Sequence, residues 1–165
     1  LDDLIQARAH LEIPLLRKEF IIDPYQIYEA KVFGADLILL IAAVLSPEEI
    51  SLFSQLAHQL DLEVLLEVHN EDELKRSNLE HVDLVGVNNR NLKTFEVNLE
   101  TSKDLAPLIP DDKVKISESG ISSLEAIHTL KDCGFKGFLI GENFMKTEAP
   151  GASAKQFIAA LRDEN

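Results

Sequence analysis

Short apolar runs rich in branched residues alternate with amphipathic segments along this chain. Each run is nearly unbroken in apolar character, which is typical of strands buried on both faces of a parallel sheet. A helical pattern precedes the first run, and strand–helix units then repeat to the final helix at about 153–161. The order predicts βα units joined by right-handed crossovers. The six predicted strands are 13–16 continuing towards residue 20, 37–41, 64–68, 84–87, 114–117 and 138–140.

Capping residues mark where the predicted helices begin. Asp23 and Ser46 each precede a proline, which suits the first helical position, and Asn70 and Ser122 open two further helices. No linker or low-complexity stretch divides the chain, so we expect one domain over residues 1–165. Periodicity alone leaves both a doubly wound sheet and a βα barrel open.

Length and composition narrow the class of protein. The 165 residues suffice for one globular domain with 45% apolar residues, whereas a complete βα barrel has about 250. The formal charge of −13 disfavours a nucleic-acid partner, because its phosphates would be repelled. An anionic substrate would have to be held by a local site rather than attracted by the whole surface.

Cysteine content and hydropathy favour a cytoplasmic protein without a membrane partner. Cys133 is the only cysteine, so no internal disulfide can form, and no apolar run approaches the roughly 20 residues of a membrane span. No signal-peptide pattern opens the chain. It begins with LDDLIQARAHL, which is typical of an amphipathic helix and contains no Met. We therefore expect it to be a portion of a longer protein.

Polar side chains stand at the carboxyl ends of the predicted strands, where parallel βα folds place their sites. Lys18 follows the first strand, and Asn88 and Arg90 follow the fourth. Glu67 lies within the third apolar run, where a carboxylate is costly unless it is paired or used. Taken singly, Lys18 could be a surface lysine, and Asn88 and Arg90 could only shape a turn.

The last two strands share a form: each is followed by a glycine and a helix start. Gly120 and Gly141 would let the backbone approach an anion, with helix N–H groups pointing at it. A single glycine of this kind is weak evidence, but a consecutive pair matches the phosphate site that follows strands 7 and 8 of many barrels. The six strands would then be strands 3–8, with two strands preceding Leu1.

Four residues near these strand ends are assigned structural roles. Arg17 should point to the opposite face from Lys18 by strand alternation. His69 is interpreted as a solvated or helix-capping histidine, and Glu118 as a structural neighbour of the phosphate site. Cys133 lies at a helix end away from the strand tips, so we expect it to be inert.

The chain resembles the indole-3-glycerol phosphate synthase family over essentially its whole length. PLLRKEFIIDPYQIYEAKVFGADLILLIAAVL is similar to the third and fourth units of that barrel, and LLEVHNEDEL, GVNNRNLKTFEVNLE, ISESGI and FLIGENFM resemble the following segments in order. The resemblance implies an α/β fold: an incomplete TIM (βα)8-barrel of the ribulose-phosphate-binding type, with six βα units and without the first two.

The resemblance also implies a carbon-carbon lyase of tryptophan biosynthesis, a carboxy-lyase. The family closes the ring of 1-(o-carboxyphenylamino)-1-deoxyribulose 5-phosphate with loss of CO₂ and water, giving indole-3-glycerol phosphate. It uses no metal and no organic cofactor. The implied partner is thus a phosphorylated small molecule.

Roles transfer to this chain residue by residue. Lys18 matches the general acid, Glu67 the carboxylate of the dehydration proton transfers, and Asn88 and Arg90 polar substrate contacts. Because the side chain of Glu142 must point away from the phosphate, only the backbone of this residue could serve. The implied phosphate-binding residues are Ser119, Gly120, Gly141 and Glu142.

One family motif is absent. The first-strand pattern E-x-K-x-x-S-P, whose Glu and Lys assist the chemistry and hold the phosphate, does not occur. We expect the chain alone to be inactive or weak, and its open sheet edges to promote self-association or pairing with the missing N-terminal segment.

The alternative is a non-catalytic barrel fragment that binds phosphate or serves in assembly. A sibling barrel, such as phosphoribosylanthranilate isomerase or a tryptophan synthase α chain, is disfavoured: the isomerase pattern needs a Cys near its first strand tip, and Cys133 is elsewhere.

Overall fold

A computed structural model describes residues 1–163 of the chain. Strands and helices alternate through it as predicted, and a short 3₁₀ turn, Ala106–Leu108, follows the fifth helix. The elements in chain order are α1 (Asp2–His10), β1 (Leu16–Arg17), α2 (Pro24–Val32), β2 (Leu37–Ile41), α3 (Pro47–Gln59), β3 (Glu63–Val68), α4 (Glu71–Arg76), β4 (Leu84–Asn88), α5 (Glu100–Leu105), β5 (Val114–Glu118), α6 (Leu124–Asp132), β6 (Gly137–Leu139), α7 (Glu142–Met145) and α8 (Pro150–Asp163).

All six strands are parallel and lie in the order β1–β2–β3–β4–β5–β6. A doubly wound sheet reverses its strand order at a switch point. This sheet has no reversal, so that alternative is excluded. The sequential order is that of a βα barrel, and in the described part of the chain β1 and β6 are its two edges.

Both faces of β2, β3 and β4 are buried, as the continuous apolar runs predict, whereas the edge strands β1 and β6 are partly exposed. Leu40 and Leu66 are register partners that pack in the large core under the helices. Leu39 and Leu65, one residue earlier on the same strands, belong to a second cluster with Ile116. Because side chains alternate along a strand, this second cluster lines the concave face. Residues on that face of the strand ends therefore point into the barrel interior.

The predicted helix starts at Asp23, Ser46 and Asn70 are confirmed. Each side chain accepts a hydrogen bond from the first turn of its helix, and Ser46 forms a capping box with Glu49. At α4, Glu73 reaches back one residue further than in a capping box: its Oε2 accepts from the backbone N–H of His69 at 2.8 Å. This bond ties the end of β3 to the start of α4.

The predicted bounds of the first strand are wrong. Pairing begins only at Leu16, and Ile13 is 63% exposed. Pro14 carries no N–H to donate to a sheet ladder, which keeps the strand from starting earlier. Arg17 points towards the helices as expected, with its guanidinium donating to Gln26 and Glu29 of α2.

The described helices include none with the combination of length and apolar character that a bilayer crossing requires. The last helix begins at Pro150, three residues before its predicted start.

Candidate active site

A cleft of about 630 Å³ opens where the strands end. It brings together residues from the ends of β1, β4, β5 and β6. Glu67, in β3, does not line the cleft, but lies beneath it in contact with Lys18 and Asn88. The predicted site residues in the lining are Lys18, Asn88, Arg90, Ser119, Gly120, Gly141 and Glu142.

A lysine shared by two carboxyl groups forms the floor of the cleft. Lys18 Nζ lies 3.1 Å from Glu67 Oε2 and 3.1 Å from Glu118 Oε2. The lysine side chain is 49% exposed, whereas those of Glu67 and Glu118 are only 4% and 3% exposed. Asn88 adds a hydrogen bond, its Nδ2 donating to Glu67 Oε1 at 3.0 Å. The ammonium therefore faces the open cleft while both carboxyls are held inside the barrel.

Glu118 is the residue that sequence interpretation assigned only a structural part. Its Oε1 is buried and has no hydrogen-bond partner in the described part of the chain. Gly86 on the neighbouring strand makes room for it, because a Cβ there would lie 2.3 Å from that oxygen. The signal was present in the sequence: Glu118 follows Ile116 by two residues, so both point to the concave face.

The three charged groups perturb one another's pKa values. Burial, and then the negative charge of Glu67, raise the pKa of Glu118 to about 7. Burial opposes ionisation of Glu67, but its contacts with His69, Asn88 and Lys18 prevail and lower its pKa to about 2. Burial acts against the charge of Lys18, yet the two carboxylates raise its pKa. Near neutral pH the floor therefore offers an ionised carboxylate, an ammonium and a carboxyl poised to exchange a proton.

Of the two interpretations of His69, a solvated or a helix-capping histidine, the solvated one is wrong. Its side chain is 9% exposed and lies between two carboxylates, with Nδ1 3.1 Å from Glu73 Oε2 and Nε2 3.2 Å from Glu67 Oε1. Its backbone N–H does contribute at the start of α4, through the bond to Glu73. The histidine thus connects a helix start to the carboxylate beneath the cleft.

The turn after β5 has backbone geometry that suits close approach of a ligand. Ser119 and Gly120 both have positive φ, at 66° and 74°. A Cβ on Gly120 would lie 2.3 Å from a Val97 methyl, so glycine is required. Asn89, which sequence interpretation missed, holds this turn: its buried Nδ2 donates to Ser117 Oγ and to the carbonyls of Glu118 and Ser119.

The opposite rim of the cleft is formed by the start of α7. Gly141 is the residue before the helix, and a Cβ there would meet no atom within 4 Å. Glu142 follows, and its carboxylate lies 2.6 Å from the Arg90 guanidinium. The side chain of Glu142 is thereby directed towards Arg90 across the cleft mouth. Lys146 adds a cation to the same lining.

Comparison with protein families decides the relationship. The family model for indole-3-glycerol phosphate synthase matches residues 1–157. This chain belongs to the indole-3-glycerol phosphate synthase family. Synthases from Bacteroides thetaiotaomicron and Acidovorax sp. are 49% identical to it over 162 and 158 residues. These matches cover 98% and 96% of this chain but 62% and 59% of the relatives, so the chain spans about three fifths of their length.

Solved structures of the tryptophan synthase α-subunit from Pyrococcus furiosus share the fold of this synthase-family chain. Two mutant forms of that subunit superpose with TM-scores of 0.72 and 0.74 at 18% identity. They match 97% of this chain and 71% and 70% of the solved chains. At this identity the likeness concerns the fold alone. It confirms the incomplete (βα)8 barrel, and the sequence relatives place the chain in the synthase family.

The raised pKa of Glu118 predicts how stability changes with pH. A carboxyl that titrates near 4.5 when unfolded and near 7 when folded stabilises the fold below pH 4.5, and this contribution is lost as pH rises through 7. We expect Glu118→Gln to lessen the fall in the free energy of unfolding between pH 4.5 and 7, by up to about 3 kcal/mol. Urea titrations across this range measure it.

Glu63→Gln is the matched control, because Glu63 is exposed at the other end of β3. It should leave the pH dependence unchanged. An equal slope in the wild-type and Glu118→Gln chains would show that Glu118 does not retain its proton in the fold.

Proposed function

We propose that this chain carries the ring-closing site of an indole-3-glycerol phosphate synthase. The substrate would be 1-(o-carboxyphenylamino)-1-deoxyribulose 5-phosphate, and the reaction that of a carboxy-lyase in tryptophan biosynthesis. The observation that carries the proposal is the floor of the cleft, where Lys18 Nζ lies 3.1 Å from both Glu67 and Glu118. Family membership supports the substrate, and the paired acid and base groups support the chemistry.

Ring closure needs an acid at the ketone oxygen. The ring carbon that bears the carboxylate attacks the ketone carbon, and Lys18 donates a proton to the oxygen that becomes a hydroxyl. CO₂ then leaves, and the electron pair of its bond restores the aromatic ring. The ammonium suits this step because it faces the cleft while the carboxylates behind it keep it protonated. Arg90 and Asn88 lie beside it to orient the substrate.

Dehydration needs a base and an acid together. Glu67, which stays ionised, removes a proton from the new five-membered ring as the hydroxyl departs as water. Glu118 lies 3.1 Å from Lys18 Nζ and returns a proton to it, so Lys18 can protonate the departing hydroxyl. In the dehydration, the proton that the ring loses to Glu67 is balanced by the proton that the departing hydroxyl gains. Over the whole reaction one proton is taken from solvent, and it replaces the proton that Lys18 gives up in ring closure.

The phosphate would lie between the two glycine-bearing rims. Ser119 and Gly120 present backbone after β5, and Gly141 and the N–H of Glu142 present backbone at α7. Lys146 supplies a cation in the same lining. A Cβ on Gly141 would meet no atom within 4 Å, so the backbone at this rim is open to an anion.

Restoring the length of the relatives tests the activity. In a chimera, the upstream part of the Bacteroides thetaiotaomicron synthase that this chain does not match would precede Leu1. We expect it to form indole-3-glycerol phosphate, and Lys18→Ala to lower its kcat by about 10²–10⁴-fold, the usual contribution of a positioned acid. Product fluorescence measures both.

Lys31→Ala is the control for the lysine variant. Lys31 lies in α2 on the outer layer, where its ammonium donates to the Asp61 carbonyl. It should leave kcat unchanged. A folded chimera that forms no product would refute the assignment.

Gly141→Ala tests the phosphate site. The added methyl meets no atom of the chain, so the free energy of unfolding should not fall. It would occupy the space of the anion, and we expect the Kd for inorganic phosphate, measured by calorimetry, to rise at least about tenfold.

Gly151→Ala is its matched control, since a Cβ at Gly151 in α8 also meets no atom within 4 Å. It should bind phosphate as the wild-type chain does. Equal phosphate affinity in both variants would place the anion elsewhere, and no heat with the wild-type chain at millimolar phosphate would count against the site.

We also propose that the two sheet edges associate with another polypeptide. β1 and β6 each pair on one side only in the described residues, and unpaired edges recruit partners. Sedimentation velocity of the chain alone should show concentration-dependent self-association. The upstream segment of the relative, added as a separate chain, should replace it with a 1:1 complex. A monomer unaffected by concentration and by that segment would contradict this.

A further inference from the structure

His69 occupies a position between two acidic groups from different elements. Its Nδ1 lies 3.1 Å from Glu73 Oε2 at the start of α4, and its Nε2 lies 3.2 Å from Glu67 Oε1 in β3. The second contact is a charge contact rather than an aligned hydrogen bond, because Nε2 has no hydrogen-bond partner among the described residues. The cleft chemistry described above gives this imidazole no role.

The geometry selects the protonation state of the ring. A neutral imidazole carries a proton on one nitrogen and a lone pair on the other. With a carboxylate oxygen against each nitrogen, the neutral form would set that lone pair against a negative charge. The imidazolium avoids this, and at 9% exposure water does little to screen the interaction. Burial acts against the charge, but Glu67 and Glu73 outweigh it and raise the pKa of His69 to about 9.

The same geometry distinguishes the two carboxyls of the floor. Lys18 is 3.1 Å from each, so it does not favour one over the other. Glu67 Oε1 also meets His69 and the neutral amide of Asn88. Glu118 Oε1 has no partner among the described residues. The imidazolium is thus the one cationic contact that Glu67 has and Glu118 lacks in the described part of the chain.

We propose that His69, held as an imidazolium by Glu73, is a positioning residue that makes Glu67 the ionised member of the carboxyl pair and leaves the exchangeable proton on Glu118. The groups that face this arrangement are Glu73 from α4, Glu67 from β3, Lys18 from the end of β1 and Glu118 from β5. The charge distribution is a property of the fold. Only its catalytic consequence rests on the proposed function.

Nuclear magnetic resonance on the chain tests the charge distribution directly. In the wild-type chain, ¹⁵N shifts should show both ring nitrogens of His69 protonated at pH 7. In His69→Gln, ¹³C titration of the side-chain carboxyls should show the pKa of Glu67 raised by about one unit or more and that of Glu118 lowered. The exposed His10 at the end of α1 provides the control His10→Gln, which should change neither.

Glu73→Gln keeps the test decisive if His69→Gln does not fold. Glutamine removes the charge and keeps an oxygen that accepts from the His69 N–H, while its amide nitrogen replaces the oxygen that accepts from Asn70 Nδ2. The His69 pKa should fall and that of Glu67 should rise. A neutral His69 at pH 7 in the wild-type chain, or an unchanged Glu67 titration in the folded variants, would overturn the proposal.

Activity separates this inference from the proposed function. In the chimera, His69→Gln should move the acidic limb of the kcat–pH profile to higher pH, because Glu67 would ionise later. A uniform loss at every pH would indicate a merely structural role and would contradict the proposal. If the chimera makes no product, the proposed function fails, while the titrations still decide the charge distribution.

Discussion

Two carboxyl groups buried around a single ammonium are the constraint on which this site depends. Removing a carboxylate from water costs several kcal/mol unless opposite charge and hydrogen bonds offset it. Lys18 offers one charge to both Glu67 and Glu118 at 3.1 Å, which is enough for one of them. The second must hold a proton or find another cation. Because there is one ammonium for two carboxyls, the pKa of Glu118 is raised while that of Glu67 is lowered.

The parallel sheet meets this constraint by placing β1, β3 and β5 so that their ends point the same way. Small and polar residues then fit the groups together. Gly86 leaves the volume that the Glu118 carboxyl occupies, and Asn89 ties the turn after β5 to β4. Both residues act on Glu118, the partner of Lys18, and so help to decide where its carboxyl lies. The charged floor and the glycine rims above it thus depend on the same few strand ends.

The net negative charge of the chain repels anions, whereas the cations of the cleft attract them. The chain carries a formal charge of −13, while the cleft gathers Lys18, Arg90 and Lys146. An anionic ligand would therefore be bound by contacts at short range. The tryptophan synthase α-subunit shares the barrel at 18% identity. Fold alone therefore does not identify the chemistry, and the family assignment rests on the sequence match.

Local sequence determined much of this protein. Alternating apolar runs and capping residues predicted the βα order, and β2 has the predicted bounds, Leu37–Ile41. Polar residues and glycines at strand ends identified seven of the residues that line the cleft, because the carboxyl ends of parallel strands meet at one edge. The predicted bounds of the first strand were wrong because Pro14 interrupts a run that is continuous in apolar character.

Tertiary structure decided which of these residues act on one another. The partners of Lys18 are 49 and 100 positions away in the chain, and distances across a barrel depend on register and curvature rather than on local pattern. Strand alternation places Glu118 on the concave face, but neither its contact with Lys18 nor the two carboxylate contacts of His69 can be predicted from local sequence. Only when the strands close around them do burial and mutual charge set their protonation states.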